Sequence, residues 1–127
     1  MTRPIHHLAL GAHDVERVAG FYARLGLAEV ARQLDSQGAL RSIWLDARGT
    51  LLMIEKTRAP RSWVEDIGAG PFLIALSVTQ EERAQLERDL EALGAPIEAR
   101  TDHTSYVRDP EGNRVAISHY PLPPPAA

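Results

Sequence analysis

The chain contains no cysteine. That excludes disulfides, thiolate metal sites and a cysteine nucleophile, and makes the cytoplasm the default compartment. No apolar run approaches the roughly 20 residues that span a bilayer, and no signal-type segment opens the chain. Charge of one sign is also lacking. The net charge is −3 with the basic residues scattered, which argues against a nucleic-acid footprint. No Ser–His–Asp order or paired-carboxylate motif stands out. Gly68-Ala69-Gly70 precedes a strand-like segment and does not open a helix, so it is no phosphate loop.

What remains is an ordinary globular balance, 44% hydrophobic and 24% charged over 127 residues. One compact domain fits that length. Asp109-Pro110-Glu111-Gly112-Asn113 is a run of turn formers between alternating stretches and reads as a hairpin. A worn copy lies upstream: Asp46 and Asp109 are 63 residues apart, and so are Gly49 and Gly112. Two similar halves are therefore expected. Ile5–Leu10 reads as a strand. Asp14 caps a helix with a Val15, Val18, Tyr22 and Leu25 stripe widened by Phe21, stopped at Gly26. Strands follow at Leu27–Leu34, Ala39–Asp46 and Thr50–Lys56. The second half repeats the order. It has a strand at Phe72–Val78, then a Thr79/Glu82 capping box and a helix burying Leu86, Leu90 and Leu93. Strands at Ala95–Arg100, His103–Arg108 and Asn113–Tyr120 complete it. Module one spans about 4–57, a linker 58–70, module two about 71–120, and a loose Pro-rich tail 121–127.

Strand alternation assigns faces. Leu8, Leu10, Leu52, Ile54, Ile74, Leu76, Val78, Val115 and Ile117 should lie under the helices. The opposite parity is mixed: Ile5, His7 and Ala9; Leu51, Met53 and Glu55; Leu73, Ala75 and Ser77; Arg114, Ala116 and Ser118. A face neither plainly solvated nor fully apolar suits the lining of a cavity. His6 and His119 fall on the other parity and should point away. His13 reads as a solvated residue at the helix start.

Ile5-His6-His7-Leu8-Ala9-Leu10, Asp14 leading to Phe21-Tyr22 and Leu25-Gly26-Leu27, and Tyr106–Asn113 together resemble the vicinal oxygen chelate superfamily. That group contains glyoxalases, extradiol dioxygenases, and bleomycin- and fosfomycin-resistance proteins. The resemblance implies an α+β fold in which two βαβββ modules form a cup-shaped, incompletely closed mixed β-barrel with helices outside. It also implies a homodimer. Metal-dependent relatives take His, Glu or Gln ligands from the first and last strand of each module. Here those places read His7, Met53, Leu73 and Ala116. Leucine and alanine have no donor atoms, and a thioether is a poor ligand for hard divalent ions. About three protein ligands are the usual requirement of a catalytic metal.

The expected function is therefore binding of an apolar or aromatic small molecule in the cup, without the standard divalent metal, sequestration or resistance being one form. His7, Met53, Glu55, Trp63, Leu73, Tyr106, Arg114 and Ala116 are the candidate ligand-binding residues, with Trp44 a further stacking surface. Glu55 and Arg114 are charges that orient a polar ligand, pair with each other or reach solvent; for Arg114 the solvent-exposed rim is preferred. Tyr106 has an orientation the sequence leaves open. One alternative is a metal-dependent lyase, isomerase or dioxygenase using His7 and Glu55 on one divalent ion. Another is a regulatory or partner-binding module whose cup is filled by its own side chains. No nucleic acid or membrane partner is expected.

Overall fold

A computed structural model describes residues 2–61 and 63–123. The chain divides into two compact units, Met1–Arg61 and Ser62–Ala127. Each is a βαβββ module, and the fold is α+β. The first comprises β1 (His7–Ala12), α1 (Val15–Arg24), β2 (Ala28–Leu34), β3 (Leu40–Asp46) and β4 (Leu51–Lys56). The second comprises β5 (Ile74–Ser77), α2 (Gln80–Ala92), β6 (Ala99–Arg100), β7 (Thr104–Arg108) and β8 (Arg114–Ser118). Each module makes one open four-stranded mixed sheet, ordered β1-β4-β3-β2 and β5-β8-β7-β6, with its first strand parallel to its last.

The repeat seen in the sequence is built by the same chemistry twice. Asp46 Oδ1 accepts from the Arg48 amide, and Asp109 Oδ1 accepts from the Glu111 amide, the Asx turn in both hairpins. Gly49 and Gly112 follow at φ 93° and 92°, a region where a side chain would be strained. Asp109 goes further than its counterpart, taking the Asn113 amide and side-chain amide as well.

Several elements are shorter or shifted relative to the pattern. β1 starts at His7 and not Ile5, because its partner β4 starts only at Leu51, whose amide reaches back to the His6 carbonyl. β6 shrinks to two residues. Pro96 has no amide to give, and pairing begins with Glu98 donating to Tyr106. The tail at 121–123 is irregular, and its last four positions, 124–127, lie outside the described residues.

α1 buries Val15, Val18, Ala19, Phe21 and Tyr22 against Ile43, Leu45, Leu52 and Ile54. It lies over β3, β4 and β2, leaving the edge strand β1 less covered. Leu8 is consequently 46% exposed and Leu10 half-buried, against the expectation that both sit beneath the helix.

α2 departs further from its pattern. Leu90 alone is buried; Leu86 is half-buried and Leu93 exposed. A polar anchor replaces the missing apolar stripe. Arg83 donates to Ser105 Oγ and to the carbonyls of Thr101, Asp102 and Thr104, while Ser105 donates to Glu87 at 2.5 Å. The capping box is present in full: Thr79 Oγ1 accepts the Glu82 amide and Glu82 the Thr79 amide. Thr79→Ala is expected to lower stability by about 1 kcal/mol, read as a shift in urea midpoint at unchanged slope.

Candidate functional site

In module one the mixed face is built by register. His7 pairs with Leu51 and Ala9 with Met53 across β1 and β4, while Trp44 pairs with Met53 and Ser42 with Glu55 across β3 and β4. Paired residues share a face. His7, Ala9, Met53, Trp44 and Glu55 are therefore on one side of the sheet, away from α1. The His7 ring meets the Trp44 ring edge-on at 4.9 Å. Trp44 Nε1 is buried with no hydrogen-bond partner.

His6 does not point away from His7. It precedes β1, so strand alternation does not govern it, and the two Nδ1 atoms lie 2.9 Å apart. One ring must donate to the other, which fixes opposite tautomers at these nitrogens when both are neutral. His13 is exposed, as expected, and its Nε2 is 2.7 Å from the Ala59 carbonyl.

Glu55 shares the face but not the neighbourhood. It is level with Gly11, whereas His7 is level with Leu51, four residues back along the ladder. At about 3.3 Å per residue that separates the two backbones by about 13 Å. Glu55 is moreover paired with Arg41 at 3.2 Å.

In module two, Arg108 pairs with Arg114, Tyr106 with Ala116 and Thr104 with Ser118 across β7 and β8, and Ala75 with Ala116 across β5 and β8. This settles the orientation of Tyr106: it shares the mixed face with Arg114 and Ala116. The Arg114 guanidinium lies 5.0 Å from the Tyr106 ring. Arg114 does not reach a solvated rim, being only 14% exposed. Leu73 sits just before β5, half-buried and, by the same register, level with Arg114.

The linker is attached to this module. Arg108 donates to the carbonyls of Val64, Glu65 and Gly112 and to Glu98, and it lies 4.5 Å from the Trp63 ring. Trp63 thus stacks on an arginine. Arg108 was not among the expected site residues. Its signal was present in the sequence, since Arg108 and Arg114 flank a hairpin at positions that must face each other. His119 takes the α2 side, its Nε2 3.4 Å from Arg83, and His103 packs against His119 and Tyr120.

The two ladders also align the modules without reference to any relative. Ala9 stands beside Met53, and Ala75 beside Ala116. Two residues before each alanine are His7 and Leu73, so His7/Met53 and Leu73/Ala116 are equivalent pairs. Among the described residues, no group of three or more His, Asp or Glu is placed to hold a metal ion.

The glyoxalase-like domain model matches residues 7–118, nearly the whole of both modules. The chain belongs to this family. It is 26% identical to a glyoxalase domain-containing protein, RDO1, of Mycosarcoma maydis, over 94% of this chain and 69% of that protein. Among solved structures it is similar to the fosfomycin resistance protein FosX of Listeria monocytogenes, determined with Mn(II) and 1S,2S-dihydroxypropylphosphonic acid. There the TM-score is 0.75 at 17% identity, covering 96% of each chain. A glyoxalase/dioxygenase of Nostoc punctiforme gives a TM-score of 0.72 at 21% identity, over 91% of this chain and 89% of that one. The fold is that of the vicinal oxygen chelate superfamily. Among the described residues, no helix is long and apolar enough to cross a membrane.

Proposed function

We propose that this glyoxalase-like protein binds a small, largely apolar or aromatic molecule on its mixed sheet faces, without a divalent metal at the family's ligand positions. One observation carries the reading: the four register-equivalent places hold His7, Met53, Leu73 and Ala116. A single imidazole, a thioether and two hydrocarbon side chains do not make a site for a hard divalent ion. Pairing His7 with Glu55 is a poor substitute, because their backbones are about 13 Å apart along the ladder and Glu55 already pairs with Arg41. The aromatic edge of Trp44 against His7, with Met53 beside it, instead supports an apolar contact surface. Sequestration of such a molecule is one form of this activity, and homodimerisation belongs to the same proposal.

Purified protein is expected to carry substoichiometric manganese, iron, nickel and zinc by elemental mass spectrometry. It should also bind the neutral fluorophore N-phenylnaphthylamine saturably, and Met53→Arg should weaken that binding by about tenfold or more, a charge in an apolar contact costing over 1.4 kcal/mol. Stoichiometric metal surviving dialysis would overturn the metal-free reading. Unchanged fluorophore binding by the variant would remove the module-one face from it.

A further inference from the structure

Module two holds three arginines whose side chains are almost equally withdrawn from water: Arg83 and Arg114 at 14% exposed and Arg108 at 15%. Two of them are saturated. Arg83 donates to Ser105 and three carbonyls, and Arg108 to Glu98 and three carbonyls. Arg114 makes no hydrogen bond among the described residues. Its Nε is buried without a partner, and its one ion pair among the described residues is a 3.7 Å approach to Asp66, whose side chain is 83% exposed.

Burying the Nε of a guanidinium without a partner is unfavourable, and the group also faces the like charge of Arg108 directly across the ladder. The Arg114 guanidinium carbon lies over the Tyr106 ring at 5.0 Å, a cation–π contact that occupies no N–H. The donor-bearing edge is left unused. Such a group is suited to a planar oxyanion, whose two oxygens match the guanidinium fork. Charge decides between kinds of oxyanion. Glu98 offsets Arg108, while Arg114 is met only by the exposed Asp66 at 3.7 Å, so about one positive charge is left and one added negative charge fits better than two. On the same face Leu73 lies level with Arg114, and the exposed Ala75 follows, so the ground beside the guanidinium is hydrocarbon.

We propose that Arg114, seated over the Tyr106 ring, receives the carboxylate of a small aromatic or apolar acid. This rests on the small-molecule-binding reading above and names the class of molecule. Two measurements test it. In thermal denaturation without ligand, Arg114→Met should raise the midpoint by a few degrees, since it deletes a mostly buried guanidinium whose Nε has no partner, whereas Arg108→Met should lower it. In calorimetric titrations, benzoate should bind about tenfold or more tightly than the neutral isostere benzamide. Arg114→Met should abolish that preference and Arg114→Lys retain part of it. Equal binding of benzoate and benzamide would overturn the carboxylate site while leaving the apolar-ligand reading in place. A preference for phenylphosphonate over benzoate would overturn the monoanion assignment. Absence of binding by all three probes, or a lowered midpoint or loss of folding in Arg114→Met, would overturn it as well.

Discussion

Arg83→Met is expected to destabilise the protein by about 1.5–3 kcal/mol, the range for losing hydrogen bonds made by a charged group, because Glu87 keeps Arg100 and Ser105 as partners. The substitution keeps an apolar stem in place of the arginine methylenes, so the loss reports mainly the guanidinium. The carbonyls of Thr101 and Asp102 in the β6–β7 turn lose their donor together, that of Thr104 keeps only the Thr101 amide, and Ser105 Oγ loses one of its partners. Ser105 is buried, so water does not readily replace what is removed. Urea denaturation of the variant should show the shift in midpoint, and a change below about 1 kcal/mol would mean that the turn holds without the helix. Acid should reproduce part of the effect. The Glu87 carboxyl is held below its ordinary range, chiefly by the hydrogen bond from Arg100 and further by that from Ser105, against the opposing effect of burial. Its folded-state pKa is thus depressed relative to the unfolded chain. The stability it contributes is present above the ordinary carboxyl value of 4.5 and is lost as pH falls through the lowered one. In Glu87→Gln that component of the acid dependence should be missing.

This network also shows where reading the sequence stops. Strand alternation, the capping box and the 63-residue repeat are local patterns, and each was legible because the physics that enforces it acts within a few residues. α2 was read as amphipathic from Leu86, Leu90 and Leu93 at helical spacing. Its sheet-facing side is in fact set by which groups lie opposite, and Ser105 with the turn carbonyls rewards an arginine there. No periodicity encodes that. The candidate site divides the same way. Counting from Gly49 and Gly112 identified Met53 and Ala116 as equivalent, and the ladders align them with His7 and Leu73. The reach of long side chains was not legible. Arg114, for which the rim is the preferred of three readings, is mostly buried, Glu55 turns to Arg41, and Trp63 lies against Arg108. A flexible charged side chain has several partners within reach, and only the folded arrangement selects among them. His6 was misassigned for a simpler reason: the strand begins one residue after it.

If α2 is attached mainly by polar contacts, its one apolar anchor should matter more than the three-leucine pattern suggests. Leu90 is 0% exposed, and Leu90→Ala is expected to cost about 2–5 kcal/mol, from lost burial together with the cavity left behind. Leu93→Ala, at a position 42% exposed, should cost under about 1 kcal/mol, and the half-buried Leu86→Ala should fall between them. A pattern-based stripe predicts three similar losses, so the ordering of the series discriminates where a single variant would not. Hydrogen exchange adds the location. The Arg83 contacts hold the first half of α2 to the β6–β7 turn, while Leu90 holds the second half. Leu90→Ala should therefore lower protection first in amides near the C-terminal end of α2, with the Thr79 capping box and the Arg83 turn opening later. Uniform loss of protection along the helix would instead mean that the polar and apolar anchors act as one cooperative unit, and the costs of Arg83→Met and Leu90→Ala would then fail to add.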